Sequence, residues 1–548
     1  MICRLQAFCY NFPEMKPGKN ILFLAFSLAL ALSNSSAADE LFFRLIAPPK
    51  LQEQIPFHQP VLDDQGKLLP WSSYDHILHL AMGFIENCPR DKITGLPWYE
   101  QYCDFRFQTM TPDHWPHNPA GLYGMMVETL TRWYPYTGDA KWIEITRPPL
   151  DHLIAESTPA EFAWASVPYA SADNSGHYQG GSKEKIHGIE PDKIGQAGVG
   201  YLRFYKITGE KKYLDQAVHC ADVLAAKIRP GDKLHSPWPF RVNAQTGKII
   251  EQYTSDALWP IALFDELSAL GMDQSGKYAR ARKIAWDWLL KYPMQNNRWK
   301  GYFEDVIRDP ANLNRDQYTP GELARYLMLH PELDPEWRTH VPALLSWVKK
   351  NLGDTRPKWK GATAIREQRL CMQVAGSHTA RYASLNAMWF ARGGGEPYRE
   401  EALRAFALAS YLARENGIVV FSIVDQDVWF SDGYFDYVPH FIDGMAGLPQ
   451  MAPANQDHLL HSSSIITRIC YAPQRISYSA FDPQGTEIFK LSFAPSRVLA
   501  DGIELKAIPC ASGLARDSFP APPPGFCYNP KSQTLKISRL ASRQIAIE

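Results

Sequence analysis

From residue 75 to about residue 415, apolar side chains return every three or four positions, the period of helices that bury one stripe. Past residue 455 the period falls to two. RISYSAF (475–481) and EIFKLSF (487–493) alternate apolar and polar residues and are separated by DPQG and ADG, the pattern of strands and tight turns. One phrase recurs within the helical stretch: YPYTGDAKWIEITRPPLDHL (134–153), YKITGEKKYLDQAVHCADVLAA (205–226), MWFARGGGEPYREEALRAFALASYLA (388–413) and, more loosely, LSALGMDQSGKYARARKIAWDWLLKY (267–292). In each, a helix ends at a glycine turn, and an aromatic residue opens a second helix and is placed to pack back across the hairpin. Thr319-Pro320 marks the start of a further helix pair over 320–352.

Repeated helical hairpins build a solenoid or a closed ring. These units are longer than the roughly 34–47 residues of short-repeat solenoids, and their connections are irregular and aromatic-rich, which favours a ring. The expected fold is therefore mainly α: an (α/α)6 toroid over 76–454, then a small antiparallel β-domain over 455–548. Residues 38–75 are expected to be irregular.

TGD-x-KY followed by an amphipathic helix, repeated with long loops between, resembles the six-hairpin glycosidase superfamily of (α/α)6 toroids over about residues 75–450. The resemblance implies a carbohydrate-active enzyme, either a glycoside hydrolase or a polysaccharide lyase. It matches no single catalytic family, so it assigns no catalytic residue.

The N-terminus reads as an export signal over 1–37, with Met15 as an alternative start. Lys16 and Lys19 precede the apolar run Ile21–Leu32, and Ser35-Ser36-Ala37 supplies small residues for cleavage. The run is too short for a comfortable membrane span, so a cleaved signal rather than a membrane anchor is expected, with export to the periplasm or outside the cell. Formal net charge is −1, with 57 basic and 58 acidic side chains, which argues against a nucleic-acid binder that relies on a global positive field. Seven of the nine cysteines follow the signal, with no CxxC. Cys88–Cys103 and Cys510–Cys527 are the local candidates for pairing, and isolated buried thiols are the competing reading. No Walker lysine, GxSxG or HExxH is present, so no cofactor is expected. Asp425, Asp427 and Asp432 lack the complete EF-hand pattern, and no metal is expected.

Glycoside hydrolysis needs two carboxyl groups facing across the bond, whereas elimination beside a uronate needs a base and a group to stabilise the enolate. QDVWFSDGYFDYVPHF (426–441) sets Asp432 and Asp436 among Trp429, Tyr434 and Tyr437, as a site that stacks sugars and moves protons would require. KGYFEDV (300–306) offers Glu304. On a helix over 377–390, His378, Arg381 and Tyr382 share a face that could hold a uronate, with Glu367 nearby. Asp432, Asp436, Glu304, His378 and Tyr434 are the expected catalytic candidates. Arg381, Tyr382, Glu367, Trp429, Tyr437, Trp115, His114 and Trp259 are the substrate-binding candidates. His187, Glu190, Asp192, Arg241 and Asp256 occupy loops before helices and are individually more readily explained as structural. The expected function is hydrolysis of a uronate-containing poly- or oligosaccharide. A lyase on the same fold and a non-catalytic glycan- or protein-binding helical repeat are the alternatives. The oligomeric state is not legible.

Overall fold

The computed structural model describes residues 58–106, 108–112, 117–170, 172, 176–180, 186–254, 256–295, 315–368, 374–420, 428–430, 432–510 and 523–548. The expected export signal lies outside them. The helices are α1 (Tyr74–Glu86), α2 (Pro119–Thr137), α3 (Lys141–Ala155), α4 (Pro191–Thr208), α5 (Lys211–Lys227), α6 (Leu258–Ala269), α7 (Lys277–Leu289), α8 (Tyr318–Leu329), α9 (Trp337–Leu352), α10 (Gly376–Trp389), α11 (Glu396–Ser410) and α12 (Val438–Gly447). Among the described residues, none is long and apolar enough to cross a membrane.

The even-numbered helices form the inner ring. Each packs on the next, from α2 through α12, and α12 returns to α2. The odd-numbered helices lie outside, each paired with an inner partner. The first helix, α1, packs on the last, α12, through Tyr74 and Phe441, whose ring centroids are 5.4 Å apart. This is an (α/α)6 toroid closed by its chain ends.

The recurrent phrase acts as the pattern suggests. Gly138 and Gly209 end α2 and α4 at φ 75°, the left-handed conformation that glycine adopts without strain. The aromatic that opens the outer helix packs back on the inner one in four hairpins. Trp142 meets Trp133 at 6.3 Å, Tyr213 meets Phe204 at 4.8 Å, Tyr278 meets Phe264 at 5.6 Å and Tyr398 meets Trp389 at 6.3 Å. Outer helices bury one stripe. Inner helices are enclosed on nearly every side, and all fourteen residues of α10 are buried.

Past α12 the chain forms two antiparallel sheets. One orders His458–Ser462, Gly485–Lys490, Thr534–Arg539 and Gly525–Asn529. The other orders Ile466–Ala472, Arg475–Ala480, Gln544–Ile547, Val498–Ala500 and Ile503–Glu504. Cys510 and Cys527 form a disulfide. Cys88 and Cys220 are free and buried, so the other local pairing, Cys88–Cys103, does not form. His458 stacks on Tyr136 at 3.9 Å, and the Tyr471 hydroxyl donates to the Pro135 carbonyl at 2.5 Å. The β-domain therefore covers the end of the ring where the inner helices terminate. A cavity of about 520 Å³ lies at that junction, lined by Arg132, Arg325, Asp443, Ser463 and Lys536 among others.

At the opposite end, where the inner helices begin, the loops are tied by small sheets. Gly188–Ile189 pairs with Pro239–Asn243, which pairs with Ile249–Thr254; Val428–Phe430 pairs with Asp104–Arg106. Small residues permit the close packing below: a Cβ on Gly195 would stand 2.5 Å from the Pro260 nitrogen, across the α4–α6 contact. Replacement by alanine should therefore force these helices apart and cost about 1–3 kcal/mol in thermal or urea unfolding. Gly83, inside α1 with nothing within 4 Å of its missing Cβ, is the control, where alanine should stabilise by about 0.5–1 kcal/mol.

Candidate active site

The mouth of the ring is built from the first turns of the inner helices, where acids precede or follow a proline. Asp192 follows Pro191 at the start of α4. Asp256 precedes Pro260 by four residues at the start of α6, and Asp316 precedes Pro320 by four at the start of α8. Asp436 precedes Pro439 by three at the start of α12. Proline suits a helix's first turn because no amide hydrogen is needed there, and an acid suits the free amides of that turn. Asp256 Oδ1 accepts from the Leu258 amide at 3.0 Å, and Asp316 Oδ1 accepts from the Tyr318 amide at 2.7 Å.

These carboxyls fall into two environments. Asp256 is 7% exposed, and its Oδ2 is buried without a hydrogen-bond partner among the described residues. Burial pushes its carboxyl up to about 8, and the neighbouring Asp192 and Asp316 add to the rise. Asp256 is therefore largely protonated at neutral pH. Asp316, also buried, is raised to about 6, with burial outweighing the two amides that stabilise its anion.

Asp436 stands across the ring from Asp256, since α12 and α6 are three inner helices apart. Burial alone would raise its carboxyl, but Arg381 and His440 overcome this and hold it well below the carboxylate range. The Arg381 guanidinium donates to Asp436 Oδ1, pairs with Glu322 at 3.1 Å and lies 4.3 Å over the Tyr318 ring. His440 Nε2 is 3.1 Å from the same Oδ1. The side chain of Asp436 retains 12% exposure, with Oδ2 as its remaining acceptor.

Tyr318 joins the two sides. Its hydroxyl oxygen accepts from Trp259 Nε1 at 2.9 Å and from Gln196 Nε2 at 3.2 Å. Behind Asp192, Arg241 is clamped between Glu190 at 2.6 Å and Glu251 at 2.8 Å. The segment before α10 joins the mouth through an antiparallel bridge between Asp316 and Gln368, and Gln368 Nε2 donates to Glu367 at 3.4 Å.

Among the expected residues, Asp436, Arg381, His378, Glu367 and Trp259 thus gather at this end. His378 is held neutral, its imidazole lowered to about 3 by burial and by Arg381. Three tyrosines correct the expectation. Tyr434 is wholly buried, stacks on Phe84 at 5.5 Å and accepts the Val419 amide at 2.8 Å. Tyr437, equally buried, donates to the Ala409 carbonyl at 2.8 Å. Tyr382, four residues after His378, is buried and spends its hydroxyl on Glu401 of α11. All three are core packing. His114, Trp115 and Glu304 lie outside the described residues, as do the side chains of Trp429 and Asp432. Sequence reasoning gave little weight to Asp256 and Asp192 and passed over Asp316. The acid-to-proline spacing repeated at inner-helix starts would have singled out Asp256 and Asp316.

No family model matches the chain, and no curated protein matches it by sequence. It is similar to the solved structure of cellobiose 2-epimerase from Bacillus thermoamylovorans. The two are 9% identical, with 66% of this chain and 98% of that one covered, at a TM-score of 0.50. Cellobiose 2-epimerase from Spirochaeta thermophila is 12% identical over 69% of this chain and 95% of its own, at 0.49. A family 76 glycoside hydrolase from a bovine Bacteroides thetaiotaomicron strain is 12% identical over 69% and 78%, at 0.46. At these identities the likeness is one of fold, an (α/α)6 toroid.

The Asp256 environment sets the sign of a stability test. The unfolded carboxyl loses its proton near the ordinary aspartate value of 3.8, whereas the folded one keeps it to about 8. Between these values the unfolded state binds fewer protons, so Asp256 destabilises the fold progressively as pH rises. Asp256→Asn, which carries no charge at any pH, should melt higher than the parent at pH 8, with a smaller difference at pH 5. Differential scanning calorimetry at the two pH values measures this.

Proposed function

We propose that the chain is an exported carbohydrate-active hydrolase that cleaves glycosidic bonds with Asp256 as proton donor and Asp436 as the facing carboxylate. The observation that carries this reading is the split between two buried acids across one mouth: one unpaired and protonated, the other paired and ionised. Such a split assigns acid and anion roles. Asp256 would give its proton to the glycosidic oxygen as the bond to the anomeric carbon breaks. Asp436, a poor proton acceptor because its anion is so well stabilised, suits the other task, supporting positive charge at that carbon or bonding to it. Water would then attack the anomeric carbon and return its proton to Asp256. Export is supported by the signal-like N-terminus and by the Cys510–Cys527 disulfide, which suits an oxidising compartment.

The uronate expected from the sequence loses its main support. Arg381 is buried and already faces two carboxylates, Glu322 and Asp436, and Arg241 likewise faces two. A mouth also carrying Asp316 and Asp192 would repel an anionic sugar. A neutral glycan is the substrate class we favour.

The test is incubation with matched neutral and uronate-containing glycans, following reducing ends and the absorbance of unsaturated uronate together. Reducing ends from the neutral members, without new absorbance, are expected. Both signals rising together on the acidic members would mean elimination and overturn the reading. Asp256→Asn should lower kcat by about 10²–10⁴ while leaving the protein folded. In the parent, kcat/KM should fall as pH rises past about 8, where Asp256 loses its proton.

A further inference from the structure

The floor of the mouth contains an imidazole whose proton can be placed. His440 Nδ1 lies 2.9 Å from Arg325 Nη2. A guanidinium has only donors and stays charged, so Nδ1 must be the acceptor. Ser384 does not compete. Its hydroxyl proton goes to the Arg381 carbonyl at 2.8 Å, and its oxygen accepts from Arg325 at 3.0 Å. The single proton of the neutral ring therefore sits on Nε2, facing Asp436 Oδ1 at 3.1 Å. Burial favours the neutral ring, lowering it to about 4.

Arg325 is itself fixed from other directions. It donates to Asp443, which also pairs with Arg132 at 3.3 Å, and its Nε stands 3.5 Å from Glu322. The chain Asp443–Arg325–His440–Asp436–Arg381–Glu322 returns to Arg325, so its members constrain one another. Both donors to Asp436, Arg381 and His440, end on Oδ1.

We propose that His440 is a positioning residue: locked by Arg325 as the Nε2–H tautomer, it ties Asp436 Oδ1 and thereby aims Oδ2 at the sugar. The inference rests on the role given to Asp436 above. It adds that the carboxylate's orientation, and not only its charge, is set from beneath by α8 through His440. His440 takes no proton from substrate and does not titrate in the working range. Asp436 lies in the turn just before α12 and His440 on the helix's first turn, which brings the ring within 3.1 Å of the carboxylate.

Two measurements test this. In protein labelled with ¹⁵N-histidine, the His440 ring should show a proton on Nε2 and an unprotonated Nδ1, unchanged from pH 5 to pH 9. A proton on Nδ1, or titration near the ordinary histidine value, would overturn the proposal whatever the activity. In kinetics on the glycan found to be cleaved, His440→Phe removes the donor and should lower kcat on the order of 100-fold with KM nearly unchanged. His440→Gln can accept from Arg325 and donate to Asp436 together, and should recover most of the loss. Equal damage from both substitutions, or a loss confined to KM, would contradict a positioning role. If His440→Phe does not fold, the tautomer measurement on the parent decides. Hydrolysis that survives Asp256→Asn unchanged would instead overturn the functional reading while leaving the tautomer assignment standing.

Discussion

Arg381 and Arg325, buried side by side in the middle of the ring and each held by two carboxylates, are what the rest of the site depends on. Six inner helices closed on one another leave little surface for water along most of their length, so a charge deep among them must find its partner inside. Every inner helix contributes: Glu128 and Arg132 from α2, Arg203 and Lys206 from α4, Glu266 from α6, Glu322 and Arg325 from α8, Arg381 from α10, Asp443 and His440 from α12. Removing one member of a buried pair typically costs about 3–5 kcal/mol, because the other is left charged without solvent. A ring tied this way is intolerant of slippage between helices, and that rigidity lets a carboxylate be aimed.

The same constraint explains why two acids of one mouth behave oppositely. Asp436 has two donors and remains ionised even though it is buried. Asp256 has one amide on Oδ1 and nothing among the described residues on Oδ2, and stays protonated. The two environments arise from neighbouring helices. The network of α8, α10 and α12 supplies cations to Asp436, whereas the carboxyls nearest Asp256, on α4 and α8, repel its charge. Tyr318 stands between, its ring under Arg381 and its oxygen bonded to Trp259 beside Asp256.

The toroid was legible because its hairpin signal is local. A glycine turn and an aromatic that packs back across it recur in four of the hairpins, whatever the distant contacts. The site was less legible because its logic is non-local. Asp436 was singled out from its aromatic surroundings, yet those aromatics proved to be core. Tyr434 and Tyr437 pack behind the acid and do not face a sugar. Arg381 read as a uronate clamp because its partners, Glu322 and Asp436, lie far away in sequence. Asp256 drew little weight because its chemistry comes from lacking a partner, which no sequence pattern records. The acid-to-proline spacing at inner-helix starts marked its place but not its protonation state.

The most direct test of the account is difference infrared spectroscopy of the parent and Asp256→Asn across the neutral range. The account predicts a protonated-carboxyl band in the parent at pH 7 that fades as pH passes about 8 and is absent from the variant. A parent with no such band, identical to the variant at pH 7, would show Asp256 ionised and remove the proton donor on which the proposed chemistry stands.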